Sequence, residues 1–224
     1  MMQSHEVREA ADIVRVATTA LLATSNNQLG REGSDLRRAC GDLAANAEFY
    51  ITYNTIADKL SYCFNQARVT GATLDEFNRL RSDLTTTATV SLVATLMAQS
   101  CICFCLQQMS LAVVAMTFTS RSDVDAMRLE LNDAFNGAVE VAADAMAQVV
   151  YRKLIALHAA VTFYLFQTAK PLPQMLDFQF AVIRPTLIQS YRLYADASRA
   201  DELREENKVV HPAFAPRKGQ ALSF

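Results

Sequence analysis

No Asp, Glu, Lys or Arg occurs between Asp83 and Arg121, and this uncharged segment is the feature that most constrains the fold. It is rich in Leu, Met, Val and Phe, so its side chains must leave water on folding. A membrane-spanning helix needs about 20 mostly apolar residues, which the segment can supply. Threonines and serines in its first half, and the adjacent Gln107 and Gln108, make it more polar than a typical span. We therefore expect the central helix of a bundle; a membrane-inserting segment is the alternative.

The composition of the whole chain favours helices. Apolar residues make up 51% of its 224 residues, whereas it contains only 6 glycines and 5 prolines. Ala, Leu, Gln, Glu and Arg recur, and all of them are good helix formers. The prediction is an all-α fold, an elongated bundle of long helices over residues 1–207. An extended C-terminal docking tail, residues 208–224, is predicted to follow it.

Apolar residues at helical spacing predict two helices in the first third of the chain. The first runs from about Ser4 to Ala23. Turn-forming residues at 25–33 then predict a loop. Ser34 and Asp35 offer N-cap oxygens for a second, long helix that continues to about Val69.

A glycine and a capping motif separate the second helix from the third. Gly71 suits the left-handed position that follows a helix. Thr73 and Glu76 have the spacing of a capping box, in which each side chain binds the backbone amide of the other. A third helix is therefore expected to begin at this point.

The second half of the chain contains two more predicted helical regions. Ser120, followed by acidic residues, marks the start of one, in which Gly137 predicts either a kink or a split. Pro171 and Pro173 end it near Lys170. The sequence leaves residues 174–183 open between a short helix and an extended piece. A last helix is expected over 185–207, since proline is tolerated in the first helical turn.

Charge and cysteine content exclude some functions. The formal net charge is -2 and no long basic block is present, so direct binding of nucleic acid is not expected. The 5 cysteines form an odd set, unlike the paired framework of a secreted disulfide-rich domain. The N-terminus lacks the apolar run of a secretory signal. Synthesis in a reducing cytoplasm fits these features.

Two groups of residues could carry chemistry, and both are expected to be structural. Cys101, Cys103 and Cys105 lie on one predicted helix without the second ligand pair that zinc requires, so burial is favoured; a cysteine pair between subunits remains open. His158 falls near the apolar line of its helix, which favours a hydrogen-bonded packing role. We find no nucleophile elbow, phosphate-binding loop or dinucleotide-binding glycine pattern. We therefore predict no enzyme activity, no cofactor and no metal.

A dense run of mixed charge extends from Asp196 to Lys208. It is interpreted first as a solvated helix face with pairs three residues apart, Asp196 with Arg199 and Asp201 with Arg204. Such exposed pairs contribute little to stability. The alternative is that the run forms a docking surface.

An aromatic Leu-Tyr helix, an Asp-Ala-x-Arg-Ala-Asp-Glu run and a His-Pro-x-Phe-x-Pro tail occur in this order in the last part of the sequence. These motifs cover Tyr191 to Leu203, then Asn207, then His211 to Pro216. They resemble the C-terminal helical region of the phage DNA-circularisation protein family, the gene-N type of Mu-like phages, with a looser similarity from Pro171 to Leu187. Members of the family are regarded as tail or baseplate components.

The resemblance implies a structural protein of a contractile phage-type tail, located in the virion at the baseplate or the distal tail tube. Other tail or baseplate proteins and further copies of this chain are the implied partners. The alternative function is a membrane-inserting protein that acts during genome delivery. We expect removal of residues 209–224 to preserve the helical fold and to block assembly. The candidate partner-binding residues are Tyr191, Tyr194, Asp196, Arg199, Asp201, His211, Pro212, Phe214 and Pro216.

Overall fold

The fold is all-α, as the sequence predicts. A computed structural model of the chain describes residues 3–24, 30–145 and 147–223. It is 73% helical, with ten helices and one small two-stranded sheet among these residues. The helices are α1 (Ser4–Thr24), α2 (Arg31–Ala45), α3 (Ala47–Thr52), α4 (Ile56–Val69), α5 (Leu74–Thr86), α6 (Leu92–Ala115), α7 (Arg121–Asp144), α8 (Gln148–Ala169), α9 (Thr186–Tyr194) and α10 (Ala200–Glu206). The strands are β1 (Met175–Gln179) and β2 (Lys218–Leu222), and a 3-10 turn covers Pro212–Phe214.

The chain forms two compact units. The first consists of Met1–Met116 and Glu130–Thr162, and the second of Thr117–Leu129 and Phe163–Phe224. Helices α7 and α8 contribute residues to both units. Residues 208–223 of the predicted tail fold as part of the second unit, whereas Phe224 lies outside the described residues. That the tail docks on a partner stays a prediction.

The uncharged segment forms α6, which packs against α1, α4 and α5 in the first unit. This confirms the predicted central helix. Its two polar residues at 107 and 108 behave differently. Gln108 is buried, and its side-chain oxygen accepts a hydrogen bond of 3.0 Å from Nε of Arg68, while Gln107 is exposed. The buried amide is thus paired, as a polar group in a core must be.

Aromatic side chains fill the centre of the first unit. The rings of Phe64 on α4 and Phe77 on α5 are stacked with centroids 6.5 Å apart, and Phe104 on α6 lies 5.6 Å from Phe64. Phe64 and Phe77 are both fully buried. Burial of such a side chain stabilises the fold by about 1.5–3 kcal/mol.

The predicted second helix is wrong in its bounds and its continuity. Helix α2 begins at Arg31, before the predicted caps Ser34 and Asp35, and residues 25–29 of the predicted loop lie outside the described residues. The path to Val69 is divided into α2, α3 and α4. Asn54 adopts a left-handed conformation with φ 56, which asparagine tolerates better than most residues. Apolar spacing continues across these breaks, so it did not reveal them.

The predicted start of the third helix is confirmed. Gly71 is left-handed, with φ 98. The backbone N–H of Thr73 donates to Oε2 of Glu76 at 2.7 Å, and the backbone N–H of Glu76 donates to Oγ1 of Thr73 at 3.3 Å. This is the predicted capping box, and α5 follows it.

Helix α7 begins at the predicted position and is not divided at Gly137. The backbone N–H of Ser120 donates to Oδ2 of Asp123 at 2.9 Å, and Oγ of Ser120 accepts from the N–H of Asp123 at 3.2 Å. The helix continues through Gly137 to Asp144. The division from α8 comes after that residue, in a segment where Met146 lies outside the described residues.

Helix α8 ends before Pro171 and Pro173, as predicted. Within the second unit, the guanidinium of Arg121 donates to the carbonyl oxygens of Leu172 at 2.8 Å and Lys170 at 3.1 Å. Both residues follow α8, so Arg121 fixes the proline-containing segment after the helix. The sequence did not indicate this long-range contact.

Candidate partner-binding site

The residues that carry the family resemblance fold into one small module. This C-terminal module, residues 175–222, contains β1, α9, α10, the 3-10 turn and β2 in that order. Residues 174–183, for which the sequence allowed either a short helix or an extended piece, contain β1, and the predicted tail contains β2. The strands pair antiparallel, from Met175 opposite Leu222 to Gln179 opposite Lys218.

The predicted last helix over 185–207 is wrong, since the structure divides it into α9 and α10. Ala195 ends α9 in a left-handed conformation with φ 56. Oγ of Ser190 donates to the carbonyl oxygen of Asp196 at 2.6 Å, which fixes the turn. The Asp196 carboxylate accepts from the backbone N–H and from Oγ of Ser198, both at 2.8 Å. These bonds lower the pKa of Asp196, and the bond from the backbone N–H has the larger effect.

A small core joins the helices of the module to its sheet. Tyr194 and Leu203 are buried with Ala221, and Phe178 and Leu193 pack against them. Tyr194 and Arg199, both predicted to contact a partner, therefore have roles inside the module. The Arg199 guanidinium lies 3.8 Å from the centroid of the Tyr194 ring, a distance typical of a cation–π contact. Burial raises the pKa of the Tyr194 hydroxyl.

The charge run of α10 is a partly paired helix face. Arg199 pairs with Glu202 at 2.6 Å, in place of the predicted partner Asp196. The predicted pair of Asp201 with Arg204 is present at 3.5 Å, and the Asp201 side chain is largely exposed. This geometry supports the interpretation as a solvated face for Asp201 and Arg204.

Asn207 fastens the end of α10 to β2. Its Oδ1 accepts from the backbone N–H of Gln220 at 2.8 Å, and its Nδ2 donates to the carbonyl of Gln220 at 2.8 Å. Nδ2 also donates to the carbonyl of Leu203 at 2.9 Å. A Cβ at Gly219 would collide with the Asn207 amide and the Phe178 ring, so this strand position requires glycine.

Two further bonds hold the His-Pro-x-Phe-x-Pro segment against α9. Oγ1 of Thr186 donates to the carbonyl of Pro212 at 3.3 Å, and Nε2 of Gln189 donates to the carbonyl of Pro216 at 2.9 Å. Nδ1 of His211 accepts from the backbone N–H of Ala213 at 3.2 Å. His211, Pro212 and Pro216 therefore shape the segment from within.

Apolar side chains remain exposed on the outside of this framework. We call Ile183, Leu187, Tyr191 and Phe214 the outward cluster; Tyr191 is 63% exposed and Phe214 72%. Leu187 and Tyr191 lie one turn apart on α9. An isolated bridge between Arg184 and Ala215 places Phe214 beside the start of α9, where Ile183 and Leu187 are exposed.

The outward cluster has the composition of a protein contact. Aromatic and aliphatic side chains that are held on a braced framework lose little entropy on binding. Clusters with aromatic anchors supply most of the binding energy at protein interfaces. Tyr191 and Phe214 were among the predicted partner residues. Ile183 and Leu187 were missed, although the four-residue spacing of Leu187 and Tyr191 is visible in the sequence.

The histidine and cysteine side chains that the sequence singled out lie in packed surroundings. In the described part of the chain, no group of three or more His, Cys, Asp and Glu side chains is placed to hold a metal ion. In the first unit, Nε2 of His158 lies 2.7 Å from Oδ1 of Asn132, and its ring stacks on Phe135 at 4.8 Å between centroids. This is the expected packing role. Cys101 and Cys105 are buried, as expected, and Cys103 is partly buried.

Helix α8 is a second exposed apolar surface. Within the described ranges, α6 and α8 are long and apolar enough to cross a membrane, by length and composition alone. Half of the apolar window of α6 is buried, but only 17% of that of α8. Val149, Phe163 and Phe166 are the most exposed of its large side chains.

Comparison of the chain with known protein families and with curated proteins finds no match.

Proposed function

We propose that this protein is a structural component of a contractile phage-type tail, in the baseplate or the distal tail tube. The C-terminal module attaches it to a neighbouring tail protein. The observation that carries the proposal is the outward cluster, an exposed apolar group on the module that contains the resembling residues. Further copies of the chain are partners as well, as the closed symmetry of tails requires.

The division of labour inside the module supports this proposal. Tyr194, Arg199 and Asn207 hold the module together, whereas Tyr191 and Phe214 have most of their surface in water. Aromatic side chains with so much exposed surface are suited to a pocket on a partner. The motif thus combines residues that build the module with residues that project from it.

Removal of residues 209–224 cannot test this function cleanly. It would delete β2, with Ala221 and Leu222 from the interior of the module. A loss of assembly would then reflect loss of the fold. Point substitutions in the outward cluster leave the framework in place and are the better test.

The test is complementation of a deletion of this gene with the double variant Leu187→Ser and Phe214→Ser. We expect the soluble protein to keep its helical circular dichroism and particles to lack complete tails in electron micrographs. Val16→Ser, which changes an exposed apolar residue of α1, is the matched control and should give normal tails. An antibody against the chain should label the tail tip of control particles. Normal tails from the double variant would refute the docking role, and unlabelled particles would refute the virion location.

A membrane contact during genome delivery is the second candidate function, and the exposure of α8 is the observation that favours it. The sequence placed this activity in residues 84–120, but α6 is half buried in the first unit. Lys153 in α8 and Lys170, which follows the last residue of the helix, bracket an uncharged stretch, and such basic ends can remain at the lipid headgroups.

Flotation with anionic phospholipid vesicles tests the membrane candidate. The wild-type chain should float, whereas Phe163→Ser with Phe166→Ser should remain in the dense fraction. Val16→Ser should float like the wild type. If the wild-type chain does not float, the membrane function is excluded and the tail function is unaffected.

A further inference from the structure

The charges of the C-terminal module are segregated along its sequence. The two segments that carry the outward cluster, residues 180–195 and 207–219, contain five basic residues and no Asp or Glu. Between them, residues 196–206 contain five acidic and two basic residues. One part of the module is therefore positive and another part is negative.

The positive charge accompanies the exposed apolar side chains. On α9, Leu187, Tyr191 and Arg192 are exposed and share one face, whereas Gln189 on the other face is buried. The Gln189 side chain donates to the backbone directly before Arg217, which is also exposed. We call Arg192 and Arg217 the basic border, since they lie on the two segments that carry the outward cluster.

The negative charge lies on the outer face of α10. Asp201 and Glu205 are exposed, and each is two residues from the buried Leu203, about 200° away around the helix. The Asp201 side chain is 83% exposed, although it pairs with Arg204. Val210, which is 99% exposed, follows the end of this helix and offers an apolar contact. We call Asp201 and Glu205 the acidic edge.

The two charged surfaces do not neutralise each other within one chain. The ion pairs seen in the described part of the module, Arg199 with Glu202 and Asp201 with Arg204, both lie inside residues 199–204. None of the described carboxylates forms an ion pair with the basic border. In a second copy, however, the negative surface of one module can meet the positive surface of the next, and such complementarity directs association.

We propose that a second copy of this chain occupies the outward cluster, with the acidic edge of one module against the basic border of the next. This proposal rests on the docking role proposed for the outward cluster and names the partner as the chain itself. The apolar side chains supply affinity, and the charges set the orientation. Because the two surfaces differ, the contact is head-to-tail, and its repetition gives a ring or a helical array.

Sedimentation velocity of the purified full chain in low salt tests this proposal. Wild-type protein should form species heavier than the 24.8-kDa monomer, and added salt should reduce them because it screens the charges. Inversion of the basic border, Arg192→Glu with Arg217→Glu, should leave only monomer at concentrations where the wild type associates. Inversion of the acidic edge, Asp201→Lys with Glu205→Lys, should do the same. All four substitutions in one chain make the charges opposite again and should restore association.

Two controls keep this result specific to the module. Arg31→Glu with Arg38→Glu inverts two exposed arginines of α2 and should associate like the wild type. Protection of the Gln220 amide from hydrogen exchange shows that the module of each variant is folded. If the lysine variant loses this protection, Asp201→Asn with Glu205→Gln takes its place and should weaken association. A wild-type chain that stays monomeric, or association that neither inversion weakens, would overturn the proposal.

Anionic lipid headgroups are the other partner that Arg192 and Arg217 could meet. If the wild-type chain is monomeric and floats with anionic phospholipid vesicles, and Arg192→Glu with Arg217→Glu does not float, the surface binds a membrane and the second copy is excluded. Failure of self-association would leave the docking role of the outward cluster standing. Complementation with Leu187→Ser and Phe214→Ser tests that role separately.

Discussion

The first unit and the C-terminal module are stabilised by different forces. Phe64, Phe77 and Phe135 are fully buried in the first unit, which relies on apolar packing between helices. The module has a much smaller core around Tyr194 and Leu203. Its elements are joined by side chains that hydrogen-bond to distant backbone groups, above all Asn207 and Gln189.

This difference explains why the two regions suit different roles. Burial of large side chains stabilises a scaffold without directional contacts. Directional hydrogen bonds instead hold a short chain in one conformation while its apolar side chains stay in water. The module therefore keeps Tyr191 and Phe214 exposed without loss of its own order.

The largest effect is expected from Phe64→Ala in the first unit. The substitution removes contacts with Phe77 and Phe104 and leaves a cavity, at a cost of about 3–5 kcal/mol. Urea unfolding followed by helical circular dichroism measures the change. Phe49→Ala removes an exposed ring on α3 and should cost far less. Equal losses of unfolding free energy for the two variants would mean that apolar packing around Phe64 does not stabilise the first unit.

A smaller effect, confined to the module, is expected from Asn207→Ala. Loss of its side-chain amide removes both hydrogen bonds to the backbone of Gln220, at a cost of about 1–3 kcal/mol in all, whereas the Leu203 carbonyl keeps the backbone N–H of residue 207. Amide hydrogen exchange should become faster at Gln220 and its strand neighbours. Gln220→Ala keeps the backbone groups and should leave this protection nearly unchanged. Unaltered exchange in Asn207→Ala would show that hydrogen bonds from Asn207 do not hold the module.

Thr73→Ala should lower the free energy of unfolding by about 1 kcal/mol, the usual value for loss of a helix N-cap. It removes the acceptor for the Glu76 amide at the start of α5. Thr85→Ala, an exposed change inside the same helix, should be neutral or slightly stabilising, because alanine is the better helix former. Urea midpoints of the two variants provide the measurement. Similar midpoints would contradict a stabilising role for the capping box.

The features that the sequence predicted are local ones. Thr73 and Glu76 act over three residues, and the central α6 follows from a continuous uncharged run. The sheet was not predicted, since its register joins strands separated by two helices. Ala195 adopts a left-handed conformation that its side chain does not favour, because bonds from neighbouring residues over-determine the turn. Only contacts in three dimensions reveal such positions.

The same limit applied to the candidate site. The aromatic residues of the motif could be identified from the sequence, but the sequence did not show which of their side chains are buried and which are exposed. Tyr191 and Tyr194 are three residues apart, and only the first is exposed. The position of Asn207 was part of the resemblance, whereas its partner Gln220 is specified only by the sheet.

The smallest effect expected is a pH dependence from His158, which tests the packed interior of the first unit. Desolvation lowers the pKa of His158 in the folded protein, so the folded state favours the neutral imidazole that lies beside Asn132 and Phe135. Its contribution to stability is therefore complete above the unfolded pKa of about 6.5. It is lost as the pH falls from that value through the lower folded pKa. The free energy of unfolding, measured with urea, should be lower at pH 5.5 than at pH 7.5. This difference should be smaller in His158→Gln, since glutamine can donate to Asn132 and carries no titrating group. The same decrease in both proteins would mean that another group titrates and that His158 does not cause the pH dependence.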